Sequence, residues 1–345
     1  MKKLFLSMVA LVVATLSYAQ SSLVATLSHE GKITTYYSAS ALNDAYNAAK
    51  DGDVITLSSG TFRAVDISKK ITIRGAGMET NPVTGTLPTV ISGDFRILNG
   101  ITLEGIYHNS SIRPLTSEGN FIYYNGFDDC TFIKCKLYSV GLLYNGINCG
   151  SMKNCKFINC RISSLLRVPK NASVSCINSM VNYPENRDKT SSLEFTNCIV
   201  SRGKWGGQDF FSALMKNCIY MEEELKAPLD ASVNLYNTVC VYATKNNVDL
   251  LANVTNNTNT AVEGFSNVFA TYATTSRFPD DETFELTDAA KAKYLGLDGT
   301  QVGIYGGIMP FDPTVSGPQI TKCNVASKST ADGKLSVDIE VKVNQ

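Results

Sequence analysis

Three consecutive stretches decide the reading of this chain: Cys155-Lys156-Phe157-Ile158-Asn159-Cys160-Arg161-Ile162, Val174-Ser175-Cys176-Ile177-Asn178-Ser179-Met180-Val181 and Leu193-Glu194-Phe195-Thr196-Asn197-Cys198-Ile199-Val200. Two further copies centre on Asn217 and Asn237, and an earlier one, Cys130 to Leu137, has Lys134 in place of the asparagine. The asparagines recur every 19 or 20 residues. In each row, apolar residues two apart precede the asparagine, a small residue follows it, and another apolar residue lies two further on. A spacing of two points alternate side chains to one face of a strand. Each row therefore predicts strand, sharp bend, strand. Asparagine suits the bend because it tolerates the left-handed backbone region, and stacked copies can hydrogen-bond along the axis.

A period this short and this regular means a solenoid. Leucine-rich repeats share the period, but their asparagine stands three residues after the preceding leucine, and no helical periodicity separates the rows here. A β-sandwich would lack the fixed repeat. The fold class is all-β, a parallel β-helix. From about Asp53 to about Asn253 the chain makes roughly ten coils, a rod of about 50 Å at about 4.8 Å per coil.

The flanks extend this reading. Ser40 to Lys50 reads as an amphipathic helix with Ser40 as N-cap, placed to plug the first coil. Then come Asp51-Gly52-Asp53-Val54-Ile55-Thr56-Leu57, Gly60-Thr61-Phe62, and Ile67 through Gly77; later, Leu297-Asp298-Gly299-Thr300 precedes Val302 through Gly307. At these residues the chain resembles the right-handed parallel β-helix proteins of the pectin-lyase-like superfamily, over about Ser38 to Phe311. The resemblance implies a right-handed coil. It does not fix a function, because that superfamily includes lyases, hydrolases, epimerases, phage spikes and adhesins. After Pro318 two alternating runs, Gln319 to Ala326 and Leu335 to Val343, predict a β-hairpin. The outward column Met180, Ile199, Ile219 and Val239 is apolar and needs a cover. The hairpin is the first candidate.

Residues 1–19 read as a signal peptide: Lys2 and Lys3, an apolar run from Leu4 to Leu16, and Ser17-Tyr18-Ala19 before the cut. The apolar run is too short for a comfortable membrane span and no second one follows, so the expectation is a secreted or periplasmic protein without membrane insertion. The β-helix with its cap then occupies 20–312, and 313–345 is a hairpin or the stub of an added module. Lys plus Arg equals Asp plus Glu at 31 each, so bulk charge gives no reason to expect a nucleic acid partner. Eight of the ten cysteines fall in inward columns, where a reduced thiol serves as a small apolar filler; Cys149 and Cys323 lie outside them.

Chemistry is expected on the outer face or in the loops between rows. Counted from the small column, Arg167, Arg187 and Lys204 fall at nearly the same place on three successive coils, with Lys170 and Arg202 extending the patch and Trp205 beside it. Cations next to an aromatic platform suit an acidic polysaccharide, because they pair with carboxylates while tryptophan stacks on a sugar face. The plainer alternative is a solvated face with Trp205 packed under Gly206-Gly207. Resemblance to β-helix lyases implies an arginine or lysine base, with calcium neutralising the uronate carboxylate. Lys204 or Arg187 is then the candidate base, and Asp188, Asp209 and Glu185 are the candidate calcium ligands. No lyase arginine motif is present, and a hydrolase would need two or three carboxylates on adjacent coils, where the ladder offers only Asp128-Asp129. Two readings stay open: a β-helix that binds or cleaves an acidic glycan, and a non-catalytic surface or matrix rod.

Overall fold

A computed structural model describes residues 23–115, 126, 128–141, 150–186, 189–201, 212–225, 227–245, 247–254, 258–272, 282–315, 318–325, 333–334 and 337–343. Their strands stack mostly in parallel into a β-helix-like solenoid. One sheet has eleven strands; at its outer end Val24–His29 and Lys32–Tyr37 pair antiparallel, and Val54–Leu57 begins a parallel run that ends at Asn234–Tyr236. The other has twelve parallel strands, from Gly60–Arg63 to Thr260–Glu263. Pro318–Val325 and Val337–Val343 pair antiparallel as a separate two-stranded sheet.

The columns read from the sequence are the register of the first sheet. Phe132 lies opposite Phe157, Phe157 opposite Cys176, Cys176 opposite Phe195, Phe195 opposite Met215, and Met215 opposite Leu235. All are buried in one continuous core, where the Phe132 and Phe157 rings stack at 4.7 Å. The column after the bend is likewise inside: Leu137, Ile162, Val181, Val200, Tyr220 and Cys240. The bend is left-handed at every row, with φ between 44° and 55° at the five asparagines and 50° at Lys134. Each of these backbone N–H groups through Asn217 donates to the next coil, as Asn159 does to the Ile177 carbonyl at 3.0 Å.

The small column has a hydrogen-bonding reason as well as a steric one. The Cys160 thiol reaches the Phe132 carbonyl at 3.3 Å, the Ser179 hydroxyl the Phe157 carbonyl at 3.2 Å, and the Cys198 thiol the Cys176 carbonyl at 3.2 Å. Only a small donor fits beneath the preceding coil. The eight core cysteines are free and buried. Burial pushes the Cys130 thiol up to about 11 and holds Cys160, Cys176, Cys198 and Cys240 well above the ordinary thiol range.

Two expectations change. The apolar column Met180, Ile199, Ile219 and Val239 is covered by residues 265–272 and 284–304, whose Phe265, Val268, Phe269, Phe284, Leu286, Val302 and Ile304 make a second core against it. The cover is therefore a folded-back segment and not the hairpin. The asparagine side chains, in turn, reach out to that returning chain. Asn178 Nδ2 donates to the carbonyls of Ile304 and Gly306, both at 2.8 Å. Asn217 Oδ1 accepts from Leu297 N at 2.9 Å, and Asn237 Nδ2 donates to Leu295 O at 3.3 Å. At Asn197 the fit is so close that a Cβ on Gly307 would lie 1.9 Å from the amide nitrogen. Lys134, the exception in the ladder, sends its Nζ to the Thr314 carbonyl at 2.5 Å and to Asp312 at 3.4 Å, so it meets the same chain with a longer arm.

The helix at Ala41–Ala48 buries Ala41, Leu42, Ala45 and Tyr46 in the main core. The Ser40 hydroxyl bonds Asp44 at 2.7 Å and makes no bond to the helix backbone. Among the described residues, no helix is long and apolar enough to cross a membrane.

Candidate functional site

Among the described residues, five successive coils turn a third time beyond the second strand. In the central coils the pairing slips by one residue between Leu137 and Ser139, then resumes as a short third side. Phe95, Ile112, Val140, Leu166 and Pro184 lie opposite one another along it, one per coil. All five are buried. Because side chains alternate on a strand, the residue after each points outward. That outward column is Arg96, Arg113, Gly141, Arg167 and Glu185. Asp66 extends it at one end, since its neighbour Ile67 bridges Ile97.

The column is a row of guanidinium groups closed at both ends by carboxylates. Arg96 Nε lies 2.8 Å from Asp66 Oδ1, with both side chains more than two-fifths exposed. Arg167 Nε lies 2.7 Å from Glu185 Oε2, and here the glutamate is only 2% exposed and the arginine 18%. The first pair contributes about 0–1 kcal/mol at most, because water competes for both charges. The second differs, since a buried carboxylate without its arginine would be an uncompensated charge. Between them stand Arg113, whose buried Nε has no hydrogen-bond partner among the described residues, and Gly141. The glycine is required: its φ is 78°, and a Cβ there would sit 2.3 Å from the Arg167 carbonyl oxygen.

Of the sequence-predicted site residues, Arg167, Lys170 and Glu185 can be located. Arg167 and Glu185 are brought together directly. Lys170 is exposed just beyond the third side, and Lys189 occupies the equivalent place one coil on, as the bonds from Asn171 N to Thr190 Oγ1 and Ala172 N to Ser191 Oγ show, both at 3.3 Å. Lys189 Nζ also approaches Asp230 at 3.6 Å. Hydrogen bonds from the Ser232 hydroxyl and amide hold the Asp230 carboxyl below its ordinary range, against the effect of burial. Arg187, Asp188, Arg202, Lys204, Trp205 and Asp209 lie outside the described residues.

Glu185 fits calcium poorly, since its Oε2 already accepts from a cation. Among the described residues, no three His, Cys, Asp or Glu side chains are grouped to hold a metal ion. Sequence reasoning missed Arg96 and Arg113. The signal was an arginine between two apolar residues, Phe95-Arg96-Ile97, Ile112-Arg113-Pro114 and Leu166-Arg167-Val168, on three of the five coils of the column.

Compared with family models, curated proteins and solved structures, the chain matches none of them.

Proposed function

We propose that this protein is an exported, right-handed parallel β-helix, of the pectin-lyase-like kind, that binds an acidic polysaccharide along the third side of its coils. In this reading residues 1–19 are the export signal, the helix at Ala41–Ala48 plugs the first coil, and the C-terminal hairpin is an appended unit. The observation that carries it is the arginine column. A rigid β-face that carries guanidinium groups on three of five successive coils offers planar, forked donors to a polymer that repeats a carboxylate. Lys170 and Lys189 widen the basic strip, and Arg202 and Trp205 are its further candidate contacts.

Cleavage by β-elimination is the catalytic extension of the reading, with Lys204 or Arg187 as the base. Arg167 is ill suited to that role because Glu185 holds its guanidinium. No step is assigned to calcium, given the engagement of Glu185; Asp188 and Asp209 are the other candidate ligands.

The test is ultraviolet absorbance and affinity electrophoresis on a panel of polyuronates. Retarded migration with acidic but not neutral glycans supports binding. A rise in absorbance that Lys204→Ala or Arg187→Ala abolishes establishes a lyase. No retardation on any glycan overturns the reading in favour of a structural rod. One feature favours that second reading on its own account: the returning segment braces the coils from outside, as a stiff spacer requires.

A further inference from the structure

We propose that the strand Lys32–Tyr37 is a self-association edge: two copies of this chain pair it antiparallel about a two-fold axis at Thr35 and join their rods head to head. The inference goes beyond the glycan reading and stands without it.

Position is the first argument. Lys32–Tyr37 ends the eleven-stranded sheet, and among the described residues it pairs only with Val24–His29. Strands stack along the rod axis, so its outer edge faces off the end of the rod. The far end of the same sheet is finished by side chains: beyond the last strand, Asn234–Tyr236, the Asn237 amide donates to Thr258 Oγ1 at 3.1 Å and the Thr238 amide to Asn259 Oδ1 at 3.0 Å.

Hydrogen bonding is the second. Ser38 N donates to Leu23 O at 3.2 Å and Ser58 N to Val24 O at 2.9 Å, so successive residues of the first strand face opposite neighbours. In the printed register Lys32, Thr34 and Tyr36 then turn their backbone groups to Val24–His29, while Ile33, Thr35 and Tyr37 turn theirs outward. Glu30 and Gly31, with φ of 48° and 79°, make the two-residue turn that fixes this phase. Three residues with outward N–H and C=O groups are a template for another strand.

Self-complementarity selects a second copy as that strand. Antiparallel pairing centred on Thr35 sets Thr35 opposite itself and Ile33 opposite Tyr37 of the second copy, twice over. All the outward backbone groups then meet, in about six hydrogen bonds. Ile33 and Tyr37 are 68% and 69% exposed in the single chain, and a β-branched residue against an aromatic is a favourable cross-strand pair. Charge agrees with this register. Lys32 falls opposite Ser38 of the second copy, whose hydroxyl donates to Asp44 Oδ2 at 3.3 Å, so each end of the contact sets a cation near a carboxylate. A strand of six residues buries far less than the roughly 1,200 Å² of a stable complex. The dimer therefore forms and dissociates reversibly.

The experiment is analytical ultracentrifugation of the full exported chain from about 10 µM to about 1 mM. The wild type should pass from monomer to dimer across that range. Thr35→Pro removes an outward N–H without cutting the bonds to Val24–His29, so it should weaken dimerisation about tenfold or more and leave the melting temperature unchanged. Should that variant fail to fold, oxidation of Thr35→Cys with glutathione disulfide decides. Directly opposed residues of a hydrogen-bonded pair lie about 5.5 Å apart, within reach of a disulfide. Thr35→Cys is expected to give a covalent dimer that Ile33→Cys and the wild type do not. A wild type that stays monomeric throughout, a dimer that Thr35→Pro leaves intact, or cross-linking of Ile33→Cys in place of Thr35→Cys overturns the proposal.

Discussion

Two corners of the same coil have opposite fates. At the asparagine corner the outward side chains of Asn178, Asn217 and Asn237 are consumed by the returning chain, and Lys134 is drawn to it as well. At the third side the outward side chains are also polar, yet two of the arginines there are met by carboxylates of the same column, Arg96 by Asp66 and Arg167 by Glu185. The same periodic scaffold therefore yields one edge braced by a returning segment and one paired along its own column. Which is which depends on whether the rest of the chain supplies the missing partners, and not on the polarity of the column.

Several measurements press on that contrast. The largest effect is expected at the closed end of the arginine column: Arg167→Ala leaves Glu185 buried without its partner and should cost about 3–5 kcal/mol in urea unfolding. Removing both charges in Arg167→Met with Glu185→Leu should recover most of it. A double variant as unstable as the single one would show that the pair is not what holds this edge.

Next is the braced corner. Asn178→Ala removes both hydrogen bonds to the Ile304 and Gly306 carbonyls and should cost roughly 1–3 kcal/mol, seen as faster amide exchange in the segment around Leu295 to Gly307. Unchanged exchange there would mean that apolar packing alone holds the cover.

Acid provides a third comparison. His108 is fully buried beside Phe95, with Nδ1 donating to the Ile91 carbonyl at 2.7 Å. Burial holds it below its ordinary value of 6.5, against the Ile91 carbonyl, the Ser111 backbone and the Asp94 charge. The unfolded chain therefore takes up the proton first as pH falls. Its contribution is complete above pH 6.5 and is lost as the solution is acidified below it, by at most about 1.4 kcal/mol per pH unit. His108→Leu should flatten the melting temperature between pH 7 and 5.5; an unchanged slope would place the acid sensitivity elsewhere.

The smallest effect is at the exposed end. Asp66→Asn should change stability by less than about 1 kcal/mol while tightening polyuronate binding, because the exposed Arg96 then lacks its carboxylate partner. Weaker binding would show that Asp66 positions Arg96 for the ligand instead of competing with it.

The ladder was legible because it obeys a rule visible at a spacing of two residues: a strand that buries alternate side chains must repeat its apolar positions. The same rule put the cysteines inside, where small thiol donors fit. What covers Met180, Ile199, Ile219 and Val239 was not legible. The stretch from Phe265 to Ile304 belongs to no repeat, and a sequence signals a need for cover without naming its source. Arg167 was found from its distance to the small column. Arg96 and Arg113 were missed because the third side is only about three residues per coil, and the loops before it vary in length. The counting that aligned three cations by their distance from the small column therefore paired Arg167 with Arg187, whereas the register sets Arg167 opposite Glu185.

The returning segment has a consequence for how the rod assembles. Ordinary solenoids behave as one-dimensional stacks in which each unit feels only its neighbours, so their ends can fray independently. Here hydrogen bonds join Asn178 to Ile304 and Lys134 to Thr314, residues 126 and 180 positions apart. A chain that emerges from its N-terminus can stack its coils as they appear, but the clasp closes only when the last fifth arrives. Fraying of the middle coils is then coupled to release of the tail, and the stack gains the all-or-none character of a globular domain.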